Sequence, residues 1–319
     1  MKQNSSKLNL RNINTGKWNV TSLFWSGALK VLHNELSKLD FDVVALQETW
    51  LESGIQKFDN FTLFNNGWEG KKREFGCRFY VGGEFLKHVK DFKITNERIC
   101  YLRLKAQRFS CTLISVHAPT NEMEEVKEEF YNLLEQNIKQ IANSDIKIIL
   151  GDFNAKVVKE DIYKSTIGNE SLHNETNNNQ IKTIQFTISK GFNVGSTTFP
   201  HKNTHQQTWY SADGRTANQI DHVLTSNRLR SAIIYIRALR GPDIGSDHNL
   251  FKTNFKVKLR VKTEKKCNEK RKTVNIFQNS KWKQEYAIEL IIKGLKYWKI
   301  WKMKIILIIT FVKNGKTKQ

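Results

Sequence analysis

Asp152 and Asn154 follow the apolar run Ile148-Ile149-Leu150-Gly151, one residue apart. Strand alternation points their side chains to one side. A carboxylate and a carboxamide projecting together suit one task, holding a phosphate and the water that attacks it. Asp and Asn are also ordinary turn residues, so the reading needs support from elsewhere in the chain. Asp42-Val43-Val44-Ala45-Leu46-Gln47-Glu48 is a buried-type strand ending on a carboxylate. That end is poorly placed for packing and well placed to ligate a hard cation such as Mg²⁺. Trp18-Asn19-Val20 sets another carboxamide among apolar residues. Ile114-Ser115-Val116-His117 ends at an imidazole, and Pro119 forbids the strand's continuation. Asn218-Gln219-Ile220-Asp221-His222 and Gly245-Ser246-Asp247-His248 each place an acid and a histidine at an apolar edge. Polar groups gathered from several strand ends are what catalysis on a rigid sheet requires.

The elements that must position these groups are strands mixed with helices. Short strand-like runs recur at Val43–Gln47, Ile99–Leu104, Thr112–Val116, Ile146–Leu150, Ile220–Leu224, Ile233–Ala238 and Asn249–Val257. Leu29, Leu32, Leu36 and Leu39 fall at helical spacing ahead of the Glu48 strand. From about Glu122 to Ala142, Val126, Phe130, Leu133, Leu134, Ile138 and Ile141 form one apolar stripe. Thr120 is the expected N-cap of that helix. The mixture predicts one α/β-type domain.

Composition narrows the class. The 319 residues include eight Trp and four Cys, at 77, 100, 111 and 267. No Cys-x-x-Cys pair supports a zinc site. An apolar core of this size needs no disulfide framework, which places the chain in the nucleus or cytoplasm, not secreted. The N-terminus holds no apolar signal core. Residues 256–319 carry 19 Lys and Arg against four Asp and Glu, so they supply +15 of the net +21. The preceding part is mildly basic. A basic surface suits a polyanion such as DNA; a solvated tail with no partner explains the terminal charge equally well.

Taken in order, Trp18-Asn19-Val20, Leu46-Gln47-Glu48, His117-Ala118-Pro119-Thr120, Gly151-Asp152-Phe153-Asn154, Gln219-Ile220-Asp221-His222 and Ser246-Asp247-His248 resemble the endonuclease/exonuclease/phosphatase superfamily of deoxyribonuclease I and the apurinic/apyrimidinic endonucleases. Each motif is weak alone, and the ordered set is specific over roughly residues 10 to 258. Thr208-Trp209, Ser211-Ala212-Asp213-Gly214-Arg215-Thr216 and Asn218-Gln219-Ile220-Asp221-His222 look most like the endonuclease domains of non-LTR (LINE-type) retrotransposons and craniofacial development protein 2-like proteins.

The resemblance implies a four-layered α/β sandwich, two packed and mostly antiparallel sheets flanked by helices. It implies a Mg²⁺-dependent endonuclease, with Mn²⁺ as a substitute, that nicks DNA and leaves a 3′-hydroxyl. DNA is the expected partner of a monomer with no stable protein partner. Glu48 is the implied metal ligand, with Asn19 orienting metal or phosphate and Asp247 as a second metal contact. Asp152 positions or deprotonates the attacking water, and Asn154 bonds a phosphate oxygen. Asp221 orients His248, which stabilises transition-state charge, while His117 acts as general acid toward the leaving oxygen. Trp209 and Arg215 contact substrate. His222 reads as structural, because its neighbour Asp221 already faces the site.

Some positions depart from the family. Thr21 stands where an aspartate is common. Arg78 stands where glycine is expected, which predicts a clash or an unpaired charge. Val158 and Gln180 replace expected loop glycines, which adds strain if those positions need a positive φ. Lys17 replaces a small or β-branched residue. The expected domains are a flexible N-terminus (1–9), the catalytic domain (10–258), a basic linker (259–289) and a Lys/Ile-rich tail (290–319) that is no domain. The tail's last apolar run, Ile305–Val312, is too short to span a bilayer. A membrane-surface helix is one reading of the tail, and an unselected reading frame ending a truncated element copy is the more economical one. Two alternatives to a nuclease stay open: a catalytically weakened DNA-binding remnant, and a phosphatase of the same fold.

Overall fold

The structure is a computed structural model and describes residues 12–65, 75–105, 110–120 and 123–256. All of them fall within one compact unit, Met1–Lys258; a second unit, Leu259–Gln319, lies outside the described residues. The expectations for residues 1–9, 259–289 and 290–319 therefore fall outside them too.

In chain order the first strands are β1 (Asn12–Asn19), β2 (Val43–Gln47), β3 (Gly54–Lys57), β4 (Phe61–Asn65), β5 (Arg78–Gly82), β6 (Val89–Asn96) and β7 (Ile99–Lys105). Then follow β8 (Ser110–His117), β9 (Ile146–Asp152), β10 (Phe192–Val194), β11 (Trp209–Tyr210), β12 (Ala217–Asn218), β13 (Asp221–Ser226), β14 (Ile233–Leu239) and β15 (Leu250–Lys256). The α-helices are α1 (Ala28–Ser37), α2 (Glu124–Gln140) and α3 (Asn178–Ser189).

One sheet runs β14-β15-β1-β2-β5-β4-β3 and the other β10-β13-β9-β8-β7-β6, with β11 and β12 as a separate hairpin. Pairing is antiparallel except for β1 with β2 and β8 with β9. Alternation sorts each strand's side chains between two faces. Ile13, Val43, Ala45, Phe79, Leu102, Leu113, Ile148, Leu150, Val223 and Phe251 fill the space between the sheets. The opposite face of the first sheet, with Trp18, Val44, Leu46 and Leu63, packs against Leu32 and Leu36 of α1. The opposite face of the second, with Ile114, Val116 and Ile149, packs against Phe130, Leu134 and Ile138 of α2 and Ile184 of α3. This is the expected four-layered sandwich.

Several local expectations change. Helix α2 begins at Glu124 with Met123 at its N-cap and no side-chain cap bond, so Thr120 is not the cap. Its start is favoured instead by Glu124 and Glu125 at the positive end of the helix. Neither Val158 nor Gln180 has a positive φ. Gln180 lies in α3, and its carboxamide accepts the Val158 backbone N–H at 2.9 Å, so the missing glycines bring no strain. Cys77, Cys100 and Cys111 are free and buried.

Candidate active site

On β1 the residues that face the other sheet are Ile13, Thr15, Lys17 and Asn19, by alternation from the inter-sheet Ile13. The apolar filling gives way to polar groups toward the end of the strand. The same alternation continues Ile148 and Leu150 to Asp152 on β9, and begins β13 at Asp221 ahead of Val223. Register completes the arrangement: Asp221 lies opposite Asp152, and His117 lies beside Asp152. Trp18 Nε1 donates to the His248 carbonyl at 2.9 Å, tying the segment before β15 to β1.

Turns at the strand ends aim the groups. Glu48 and Asn154 occupy the left-handed region, at φ 53° and 48°. Non-glycine residues adopt it sparingly, and such strain collects at functional sites. Asn19 Nδ2 donates to Glu48 Oε1 at 2.6 Å and to Asp152 Oδ2 at 3.2 Å, so one carboxamide binds both acids. His117 Nε2 lies 3.3 Å from Glu48 Oε1. Asp152 Oδ1 accepts the Asn154 backbone N–H at 3.0 Å. His248 faces two acids: Nδ1 is 3.0 Å from Asp221 Oδ2 and Nε2 is 3.6 Å from Asp152 Oδ2. Lys17 Nζ contacts Asp221 Oδ1, both side chains being fully buried.

The electrostatics follow from these contacts. Burial alone would raise the Asp152 carboxyl, but the charge of Lys17, then His248 and His117, bring it down to about 2. Burial would also raise Glu48; the hydrogen bond and charge of His117 and the bond from Asn19 hold it below the ordinary glutamate range. Burial lowers His248 below the usual histidine value, against the pull of Asp152. It also brings Lys17 down to about 8, leaving an ammonium predominant at neutral pH. Both acids are thus ionised at the mouth of the sandwich.

An open cleft of about 640 Å³ lies over them. Thr21, Glu48, Asp152, Asn154, Asp247 and His248 line it, together with Lys127, Lys156, Asn177, Asn178, Asn179 and Trp209. The structure therefore brings Asn19, Glu48, Asp152, Asn154, Asp221 and His248 together. His117 is buried against Glu48 and is not among the described residues lining the cleft. Asp247 sits at the rim with both oxygens engaged, by Thr21 Oγ1 at 3.0 Å and Trp209 Nε1 at 2.8 Å. Thr21 thus contacts an acid from the position where the family often carries one. Arg215 is largely exposed beside Asp213, between β11 and β12, away from the cleft wall. His222 points to the other face of β13, donating Nε2–H to the Ala155 carbonyl and accepting from Ser196 Oγ, each at 2.8 Å.

Sequence reasoning missed Lys17, Lys127, Lys156 and the run Asn177–Asn179. The asparagine run reads as a loop, although Asn177 caps α3 by accepting the Gln180 N–H at 3.2 Å. Only the shared parity of Lys17 and Asn19 on β1 signalled that a lysine would face the acids.

Donor chemistry bears on a cation. Glu48, His117 and Asp152 each offer a ligand atom within 4.8 Å of the others, as do Asp152, Asp221 and His248. Two ionised carboxylates converging at the cleft floor fit a hard divalent ion in the first cluster.

The sequence matches the Endonuclease/Exonuclease/phosphatase family over residues 9–248. This chain belongs to that family. Craniofacial development protein 2 of Bos taurus is 29% identical over 248 residues, which is 77% of this chain and 41% of that protein. The Tragulus javanicus protein of that name is also 29% identical, with 42% of its length covered. The chain thus spans about two fifths of these relatives. Among solved structures, the AP endonuclease LMAP from Leishmania major superposes with a TM-score of 0.59 at 16% identity, covering 77% of this chain and 88% of that one. The endonuclease domain of TRAS1, a telomere-specific non-LTR retrotransposon, gives 0.55 at 13% identity, covering 77% and 98%. The 3′-5′ exonuclease from Neisseria meningitidis gives 0.57 at 18%, covering 77% and 100%. At such identities these structures speak for the fold, the deoxyribonuclease I-like sandwich of the family.

Proposed function

We propose that this chain is a divalent-metal-dependent DNA endonuclease of retrotransposon origin, nicking one strand and leaving a 3′-hydroxyl. The observation that carries the reading is Asp152, an ionised acid on the cleft floor whose Oδ2 meets both the Asn19 carboxamide and the His248 ring. Glu48 and Asp152 hold the cation, Mg²⁺ with Mn²⁺ as substitute, and Asn19 bridges them. When bound, the ion supplies positive charge to the phosphate and to the oxygen that leaves.

Asp152 orients the water that attacks phosphorus; its low pKa suits it to positioning the water rather than to keeping its proton. Asn154 keeps one N–H on the Ala118 carbonyl at 2.9 Å and turns its other N–H to a phosphate oxygen. Asp221 fixes the His248 ring by accepting from Nδ1–H, and in its protonated form the ring also donates Nε2–H to the phosphate as negative charge grows there. His117 acts through Glu48 as a positioning residue. Lys156 and the largely buried Lys127 line the cleft, positive charge that suits neighbouring phosphates. Trp25 and Trp50 are exposed on the loops after Asn19 and Glu48, flat faces on which bases stack. These features favour a polynucleotide over a small phosphate ester.

The test is nicking of supercoiled plasmid. Relaxed circles should form with Mg²⁺ and be lost in EDTA, in Glu48→Ala and in Asp152→Ala, each falling about 100-fold or more. Nicking that survives EDTA or either substitution would sink the mechanism. The weakened DNA-binding remnant has one observation in its favour, the buried Arg78 guanidinium, whose Nη1 has no partner among the described residues. Plasmid retardation without any Mg²⁺-dependent nicking would establish that reading instead.

A further inference from the structure

Lys17 is the most anomalous residue of the site. It lies in the middle of a sheet, on β1, with none of its surface exposed. Apart from each other, Lys17 Nζ and Asp221 Oδ1 have no hydrogen-bonding partner among the described residues. A buried ion carries a desolvation penalty of several kcal/mol, so a lysine persists here only where opposite charge surrounds it. Asp221 touches it, and Asp152, Glu48 and Asp247 lie within electrostatic reach.

Asp152, Asp221 and His248 also form the second of the two clusters whose donor atoms fit a metal ion. That cluster is already served. Asp221 Oδ1 meets the Lys17 ammonium, and Asp221 Oδ2 meets His248 Nδ1 at 3.0 Å. A divalent ion entering it would face a tethered cation at close range and displace an established imidazole bond, in a region where charges are weakly screened. In the Glu48 cluster the lysine's charge acts only from a distance, and the groups that touch Glu48 are the His117 ring at 3.3 Å and the Asn19 carboxamide at 2.6 Å.

We propose that the Lys17 ammonium takes the place of a second divalent ion, so that the site binds a single divalent ion, at Glu48 and Asp152. This rests on the divalent-metal reading above. Lys17 is a positioning residue in that scheme: it neutralises Asp221 and fixes its carboxylate, and through Asp221 it fixes the His248 ring.

The experiment counts Mn²⁺ bound per full-length chain by electron paramagnetic resonance, with no nucleic acid present. One ion per chain is expected, falling to none in Glu48→Gln. Lys17→Met keeps the length and apolar stem of the side chain and removes its charge; it should bind two. Lys17→Arg keeps the charge and should bind one. Two ions on the unaltered chain would overturn the inference and leave the metal reading intact, as would a count of one in folded Lys17→Met. If Lys17→Met does not fold, the unaltered chain and Lys17→Arg decide, and two ions on either overturn it. No bound Mn²⁺ on the unaltered chain would overturn the metal reading and this inference with it.

Discussion

Arg78 and His222 are both buried bases, and their partners give them opposite meanings. Arg78 is fully buried on β5, where its guanidinium meets Thr49 Oγ1 and the Leu51 carbonyl. No carboxylate pairs with it among the described residues, one nitrogen has no partner, and burial brings its pKa down to about 9. A buried charge with no carboxylate beside it keeps an effective desolvation penalty of several kcal/mol that an apolar side chain of similar length does not carry. Arg78→Met should therefore raise the urea midpoint, and a lowered midpoint would show that the loop after Glu48 depends on those two bonds. His222 is fully partnered as a neutral ring, and burial brings its pKa down to about 4 from an ordinary 6.5. The unfolded chain therefore takes up this proton near pH 6.5 and the folded chain only near pH 4. Stability is intact above about 6.5 and falls as pH drops through that window, by roughly 3 kcal/mol at most. Urea midpoints between pH 7.5 and 4.5 should fall less steeply for His222→Gln than for the unaltered chain. Parallel slopes would assign the loss to other groups.

At the scale of elements, β8 and β9 pair in parallel and carry His117 and Asp152 side by side. Gly151 makes this approach feasible. A Cβ there would lie 2.3 Å from both Val116 Cγ2 and the Val116 carbonyl oxygen, so the strands would have to part. Gly151→Ala should cost about 1–3 kcal/mol, the usual range for overpacking. Its nicking rate should fall even where the protein remains folded, because the strain lies one residue from Asp152. Full activity in a destabilised variant would show that the site tolerates movement between β8 and β9. These strands also show what is legible in a sequence. Ile148–Leu150 and Val43–Leu46 are apolar runs that end on polar residues, so both the strand and its chemical end can be read locally. Lys17 is opaque for the converse reason: a lysine in a mixed strand looks solvent-facing, and only pairing across the sandwich brings Asp221 to it. The strand end that carries His117 can be read locally, but the partner its ring meets, Glu48, comes from the other sheet. Thr120 is not the cap because helix α2 starts at Glu124, further along than its polar pattern indicates.

For the molecule as a whole, the question is where the sandwich ends and what the remaining charge does. The family match stops at residue 248, and β15, which pairs with both β1 and β14, closes its sheet by Lys256. Every group assigned to the chemistry lies between Lys17 and His248, with the inter-sheet core completed by Phe251 and Phe255. Residues 290–319 add eight lysines and no acid, so ending the chain at residue 289 lowers the net charge from +21 to +13. Their removal should leave the thermal midpoint within about 2 °C, a shift smaller than 1 kcal/mol produces in a domain of this size. Mg²⁺-dependent turnover at saturating plasmid should be equally unaffected. Non-specific DNA affinity should weaken, and the slope of log affinity against log salt should flatten by roughly one unit for each lysine that no longer neutralises a phosphate. Binding titrations across a salt series, beside calorimetry of both chains, separate the two effects. A shortened chain that unfolds, or stays inactive at saturating DNA, would make the terminal residues part of the catalytic fold.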